Sequence, residues 1–578
     1  MQGNKIGNRQ EKTAGKGGIN QWIRILSKER LPAWLYFLPM LIALIGYGIY
    51  YHGNMPFALY SSLRIYVLEA DFEYEALVPA CVTASPGITP GAVTGWGLYW
   101  LMRVCLEVGR FGGALVTGSF LLQAVRKWLL TRAVLRQARR LDSVALYGEE
   151  QYIAPLAREL GDAAITADTP EKEKARRHVF ACSSDEEAMK AFSAFREKQL
   201  QKAALSSPVT CYLCLHDLPA STSGWEGIHL CSMSELCAYD YWKRFFLKRY
   251  QADPARNEEM IVILGSGQYG LALLNEALLI NVFPPELPPV CWTVIGDERL
   301  QAWQALHQVL ADQLEKDSER TGKPLLTLSR EPWTQQLDLI RKADRIILAE
   351  DEDQNNLAAL RTLLELGTSA AIHIRARSFS PVLALFGDIE IADGDPEAKV
   401  SVFGTTEKLY TAETIFHESR QKRGKLVAAH YEPIAGMTAA EQILTPGFQK
   451  HWEEMDSFYR ESNFASADHI DIKIRSILRE DAAVAPGSDT LVRYASRLAQ
   501  RQAENPEALL EEMEELEHRR WVRFYQYKGW THGTEKSLTA RTHPLLIPFE
   551  QLTAEDKVKD LISWDMIQDV CDEENAPK

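Results

Sequence analysis

The sequence predicts a membrane α-helical hairpin, then two successive parallel α/β units, then an all-α C-terminal domain. Three observations predict this order. Residues 31–51 and 111–125 carry no charge and are flanked by basic runs. Between about 141 and 425, strand-like apolar runs alternate with helical stretches, the pattern of parallel strands joined by crossovers. From 426 onward the alternation stops and apolar residues fall at helical spacing.

Composition agrees with a globular chain, at 46% hydrophobic and 25% charged residues. A net charge of −14 excludes general nucleic-acid binding. Nine cysteines lie scattered, without framework spacing, as in a reducing compartment. Cys211 and Cys214 form a C-x-x-C within the strand-like Val209–Leu215. Residues three apart on a strand point to opposite faces, so core packing is expected of them rather than metal or redox chemistry.

Residues 1–30 form a basic tail, with seven Lys or Arg against Glu11 and Glu29. The uncharged Leu31–Tyr51 is about as long as a bilayer crossing requires. Next comes a segment with Arg64 set against Glu69, Asp71, Glu73 and Glu75. Ala76–Met102 is uncharged but broken by Pro79, Pro86, Gly87, Pro90 and Gly91, so broken or re-entrant structure is expected there. The apolar Phe111–Val125 then leads into Arg126, Lys127, Arg132, Arg136, Arg139 and Arg140. Basic flanks around an acidic loop place both ends in the cytoplasm, hence about two crossings within residues 31–140. Arg103, Glu107 and Arg110 share one helix face leading into the last span.

The first α/β unit, residues 141–256, opens on the strand Ser143–Gly148 and continues with a helix to Leu160 and a short strand at Ala163–Thr166. The strands His178–Cys182 and Val209–Leu215 follow, with the helix Asp185–Lys202 between them. Its first turn reads Gly148-Glu149-Glu150, and carboxylates there repel a phosphate, so this unit is expected to be structural. The second unit, residues 257–425, has an intact turn. Met260–Leu264 reads as a buried strand, Gly265-Ser-Gly267-Gln268-Tyr269-Gly270 as G-x-G-x-x-G, and Leu271–Ile280 as a helix. Gly265 permits a tight turn, Gly267 lets backbone approach a pyrophosphate, and Gly270 lets helix pack on strand. The helix N-terminus offers N–H groups and a positive dipole end to the phosphate. A second strand, Val290–Ile295, ends at Gly296-Asp297, which makes Asp297 the candidate for the ribose hydroxyls. Arg345–Ala349, a helix over Asp353–Leu366 and Ala370–Ile374 complete the pattern.

With its intact Gly265, Gly267 and Gly270, two strand-helix repeats and placement directly after the membrane segment, the region 141–425 resembles the regulator-of-potassium-conductance (RCK, Trk-type NAD-binding) family. The resemblance implies tandem Rossmann-like domains that bind NAD(H) or another adenine nucleotide and regulate ion channels or transporters.

In the C-terminal region, residues 426–578, helices are expected at Glu453–Glu461 and at Pro506–Tyr527, the latter capped by Asn505. Leu509, Met513, Leu516, Trp521 and Phe524 lie at helical spacing and read as core. Glu517-His518-Arg-Arg520-Trp521, Gly529-Trp530-Thr-His-Gly533 and His543-Pro544-Leu-Leu-Ile-Pro548-Phe549 together resemble the ryanodine-receptor (RyR) domain of bacterial proteins. That resemblance implies a small helical ligand-sensing module without established catalysis. Arg519, Arg520 and Arg541 beside Trp530 suit an anionic, stackable ligand such as a nucleotide. The ligand-binding candidates are Glu517, His518, Arg520, Trp521, Trp530 and His543. Three histidines without cysteine or carboxylate at ligand spacing predict no metal site.

No nucleophile elbow, Walker lysine loop or zinc motif is present, so no enzymatic activity is expected. The sequence predicts a nucleotide-regulated membrane ion channel or channel regulator. It would be multi-pass in a bacterial inner membrane, with cytoplasmic termini, and assembled as a homo-oligomer, dimer or tetramer. Its partners would be lipid and a small nucleotide, with no nucleic acid. A nucleotide-activated membrane-disrupting effector in antiviral defence and a membrane-tethered NAD-dependent oxidoreductase are the alternatives.

Overall fold

A computed structural model describes residues 36–67, 69, 72–77, 93–202, 209–216, 227–250, 258–387, 389–484 and 489–573. The basic tail, the acidic residue Asp71 and the Pro/Gly-rich stretch 78–92 lie outside the described residues. The chain divides into two compact units, Met1–Ala145 with Gly161–Arg176, and Leu146–Leu160 with Arg177–Lys578.

In the first unit, α1 (Leu38–Tyr50) and α2 (Met55–Arg64) precede α3 (Val93–Ala138). Gly97–Ala138 is long and apolar enough to cross a membrane. The described part of the first expected span is the shorter apolar helix α1. α3 is one continuous helix of 46 residues, about 69 Å at 1.5 Å per residue and far longer than a hydrocarbon core. This corrects the reading of 93–102 as broken structure: the prolines end at Pro90, and nothing after it interrupts the helical ladder. α1 and α3 approach closely because glycines line the contact. A Cβ built on Gly109 would lie 2.5 Å from Ala43 Cβ, and one on Gly46 2.8 Å from Leu106 Cγ. Ala43, Tyr47, Ala58, Ile65, Leu77, Met102 and Leu106 form the core beneath. Of the three ionisable residues at helical spacing, Glu107 accepts the Tyr74 hydroxyl, and Arg103 Nη1 donates to Tyr99 at 3.1 Å.

The first sheet is parallel, in the order β2-β1-β3-β4-β5. Its strands are β1 (Val144–Gly148), β2 (Ala164–Ile165), β3 (Arg177–Ala181), β4 (Thr210–Leu215) and β5 (Ile228–Ser232). β5 is not among the strands expected from sequence, because Ile228-His-Leu-Cys-Ser lacks a continuous apolar run. Cys211 and Cys214 are buried on β4, at 4% and 0% exposure.

The second sheet has seven parallel strands in the order β11-β12-β10-β9-β6-β7-β8. They are β6 (Glu259–Leu264), β7 (Val290–Ile295), β8 (Leu326–Ser329), β9 (Arg345–Leu348), β10 (Ala371–Arg375), β11 (Ile391–Asp393) and β12 (Val400–Phe403). Burial on both faces explains why β6 and β9 are near-continuous apolar runs, whereas β10 alternates its isoleucines with buried His373 and Arg375. β8 and β11 lie at the edges, are half-exposed and carry weaker signals. Three helices matter for the sites in this unit: α4 (Met233–Arg244), α5 (Gln268–Ile280) and α6 (Asp353–Leu366).

Beyond β12 the chain is helical. The main helices are α7 (Glu418–Tyr431), α8 (Ser457–Asp468), α9 (Ile470–Leu478), α10 (Asp489–Glu504) and α11 (Pro506–Tyr527). Asn505 Oδ1 accepts from Ala508 N at 3.2 Å. The helix expected at Glu453–Glu461 is split at Met455-Asp456, where Asp456 caps α8 by accepting from Phe458 N at 2.8 Å. A short parallel pair, β13 (Thr531–His532) with β14 (Thr542–His543), makes the region less than wholly α. The expected boundary at 425/426 falls inside α7, whose Leu426–Ala429 pack with Trp452, Ile474, Leu516 and Trp564 in one core.

Candidate functional site

Two places in the second unit concentrate the predicted site residues. The first is the glycine turn after β6. Gly265 holds φ at +121°, and a Cβ there would come within 2.8 Å of the Ala349 carbonyl, so no side chain fits. A Cβ on Gly270 would stand 2.0 Å from the Gly265 carbonyl oxygen. Helix and strand therefore meet as the motif requires. At Gly267, however, the space expected for a phosphate holds the Asp351 carboxylate, with Oδ2 2.1 Å from where a Cβ would be. Tyr269 N, in the first turn of α5, donates to Asp351 Oδ1 at 3.4 Å.

Arg299 bridges the turn, with Nη1 3.2 Å from Asp351 Oδ2 and Nη2 2.8 Å from Asp297 Oδ2. Asp297 also accepts from Ser266 Oγ at 2.7 Å. The Arg299 hydrogen bonds hold its carboxyl well below the usual carboxylate range. The ribose candidate is thus engaged by the chain's own side chains. Gln268 is exposed at the turn, while Tyr269 is buried beneath Arg375, whose guanidinium carbon lies 3.9 Å from the ring centroid. Arg375 Nη1 donates to Asp351 O at 2.7 Å and to Asp353 Oδ1 at 3.0 Å, which fixes the segment bearing Asp351. Asp351 and Arg299 were not singled out from sequence; β9 beside β6 brings Asp351 over the turn, and β7 on the other side of β6 brings Arg299.

α5 runs from this turn into the C-terminal helices. Near its far end Glu276 lies 3.5 Å from Arg420 of α7, which pairs with Asp468 of α8 at 2.7 Å. Burial raises the Glu276 carboxyl, Arg420 opposes this, and Asp468 adds to it. Trp242 of α4 donates to Leu273 O at 2.9 Å, and His469 meets Val282 O at 2.7 Å.

The second place is a cavity of about 900 Å³ among α7, α8, α11 and the segment after β14, within the size range of small-molecule sites. Glu517, His518, Arg520, Trp521 and His543 all line it. Trp530 does not stand among the lining residues; it is 3% exposed, packed 5.0 Å from both Phe458 and Tyr525. The aromatic wall is formed instead by Trp521 and Tyr525, 4.2 Å apart, with His543 4.9 Å from Trp521. Trp521, read as core from its spacing, is half-buried on this wall.

Glu517 is buried between two cations. Lys473 Nζ lies 2.8 Å from its Oε2, and Arg520 Nε 3.2 Å from both oxygens. Burial alone raises the Glu517 carboxyl, but Arg520 and Lys473 outweigh it and hold it at about 2. Burial lowers the Lys473 amine to about 8. His518 Nε2 is 2.8 Å from Ile547 O, and its Nδ1 faces Asp560 at 3.6 Å. His543 Nδ1 accepts from Leu545 N at 3.1 Å, and burial lowers its pKa to about 4. Among the described residues, no three His, Cys, Asp or Glu side chains are grouped so as to hold a metal ion. Sequence reading passed over Tyr459, Lys473 and Asp560, which come to the cavity and to Glu517 from outside the motif.

This geometry lies in a segment with a recognisable relative. Residues 501–568 match the RyR domain family. No curated protein matches the chain. Among solved structures, the crystal structure of a GsuK mutant is similar at 13% identity, covering 67% of this chain and 98% of that one, with a TM-score of 0.30. α11, the aromatic wall and the Glu517–Arg520 pair all fall inside the RyR domain, whereas Lys473, α7 and α8 precede it.

Proposed function

We propose that the chain is a nucleotide-regulated membrane ion channel or channel regulator, with RCK-like and RyR-like sensing domains on its cytoplasmic side. In this reading NAD(H) or another adenine nucleotide binds at Gly265, Gly267, Gln268, Tyr269 and Gly270, with Asp297 toward the ribose. A second small molecule enters the RyR-domain cavity. α3 lies in a bacterial inner membrane, both termini are cytoplasmic, and copies assemble as a dimer or tetramer.

The observation that carries the reading is the course of α5. One helix begins at the glycine turn and reaches, through Glu276 and Arg420, the helices that line the cavity. A ligand at either end acts on the same element, which gives the two sites a shared route for coupling. Each ligand shifts the equilibrium only by its differential affinity for two conformations.

The test is ion flux through liposomes bearing the purified chain, measured with and without NAD(H), ADP-ribose and AMP. Selective currents graded with nucleotide support the proposal. Unselective leakage points to a membrane-disrupting effector, and substrate-dependent nicotinamide turnover to a tethered oxidoreductase. Topology is checked separately by impermeant thiol labelling of intact cells. A cysteine placed at Asp71 is expected to react and one at Arg9 to be protected; the reverse pattern overturns the proposed orientation.

A further inference from the structure

At the RyR-domain cavity two buried cations meet one carboxylate. Lys473, Glu517 and Arg520 have side chains 0%, 1% and 2% exposed. All three Lys473 N–H groups find acceptors, with Glu517 Oε2 at 2.8 Å and Ser563 Oγ and O at 2.5 and 3.2 Å. Glu517 is fully used by the two cations. Arg520 spends Nε and Nη2 on Glu517, while its Nη1 has no hydrogen-bond partner among the described residues. Two buried cations thus share one carboxylate, which leaves one positive charge.

The neighbouring acid, Asp560, makes no hydrogen bond to Arg520 Nη1. Asp560 faces His518 Nδ1 at 3.6 Å, and burial raises its carboxyl, which disfavours a charge at this depth. Toward the rim, Lys559 pairs with Asp556 at 2.7 Å, and Lys536 lies 5.4 Å from the Tyr459 ring centroid. Next to Arg520 stands the aromatic wall of Trp521, Tyr525 and His543.

Resting on the reading of this cavity as a ligand site, we infer that it takes a small molecule with a flat ring and a single negatively charged oxyacid group, a phosphodiester or a carboxylate. The acid oxygen accepts from Arg520 Nη1 and the ring lies against Trp521. A neutral ligand leaves a buried guanidinium donor unsatisfied. A second negative charge brought to the same depth finds no cation to offset its desolvation. Arginine suits the task because its donors are fixed in a plane that matches an oxyacid.

The test is calorimetry on the full chain in detergent, with four probes: 3′,5′-cyclic AMP as phosphodiester, indole-3-acetate as carboxylate, AMP with its more highly charged monoester, and uncharged adenosine. At least one singly charged probe is expected to bind tenfold or more tighter than both adenosine and AMP, and which one does so assigns the acid. Arg520→Gln leaves a balanced Lys473–Glu517 pair, so no buried charge is stranded by the substitution. This variant is expected to lose that tenfold preference, whereas Arg520→Lys, which retains the charge, keeps part of it. Equal binding of charged and uncharged probes, or full affinity for the singly charged probe in Arg520→Gln, overturns the inference while leaving the cavity a ligand site. Failure of every probe to bind removes both.

Discussion

Removing Glu517 is predicted to damage the RyR domain far more than removing either of its cations. Glu517→Gln leaves Lys473 and Arg520 facing each other at 0% and 2% side-chain exposure, with no acid between them. Stripping one partner from a buried ionic group costs about 3–5 kcal/mol. Lys473→Met or Arg520→Gln instead leaves one balanced pair, and the loss is confined to hydrogen bonds, about 1–2 kcal/mol. Hydrogen exchange read by mass spectrometry localises the effect, because opening of α9 and α11 reports their local stability. At about 1.4 kcal/mol per tenfold, Glu517→Gln should speed exchange in these helices roughly a hundredfold or more, and either cation variant roughly tenfold. Exchange in Glu517→Gln no faster than in Arg520→Gln would refute the charge count on which the ligand class rests.

The same triad sets a pH signature. Glu517, held at about 2 in the fold against an ordinary 4.5, contributes stability that is complete above 4.5 and lost as pH falls from there toward 2. Lys473, lowered to about 8 from 10.5, binds fewer protons folded than unfolded, so stability should rise with pH between those values and the rise should vanish in Lys473→Met; denaturation midpoints across pH check both. At the glycine turn, Gly270→Ala forces a Cβ to 2.0 Å from a backbone carbonyl and should prevent normal folding, seen as loss of soluble chain. Gly267→Ala meets the Asp351 side chain first, which can swing away, and should cost about 1 kcal/mol in thermal unfolding through the lost helix cap; a bulkier residue there should abolish nucleotide binding. Asp351→Asn removes the internal anion from the α5 N-terminus and should tighten ADP-ribose binding a few-fold in calorimetry; weaker binding would show that Asp351 serves the ligand rather than competing with it.

The sequence by itself determined the elements whose signal is local. β6, α5 and β7 follow from an apolar run, three glycines and a second run. α11 runs from Pro506 to Tyr527 because Asn505 and Pro506 start it and Gly529 follows its end. The five cavity residues on α11 and β14 were legible because their motif is contiguous in the chain. What only the tertiary structure decided is which distant groups meet. Edge strands such as β8 and β11 are recruited by pairing with neighbours rather than by their own apolar pattern. Asp351 reaches Gly267 because β9 pairs with β6, and it fills the space that the motif alone would give to phosphate. Trp530, equal to Trp521 in the sequence pattern, is turned into the packing by Phe458 of α8. Lys473 comes to Glu517 from another helix and leaves Arg520 one donor over. Spacing along a chain fixes which face of an element a residue occupies, but a charge balance is a sum over elements that meet only in the folded protein.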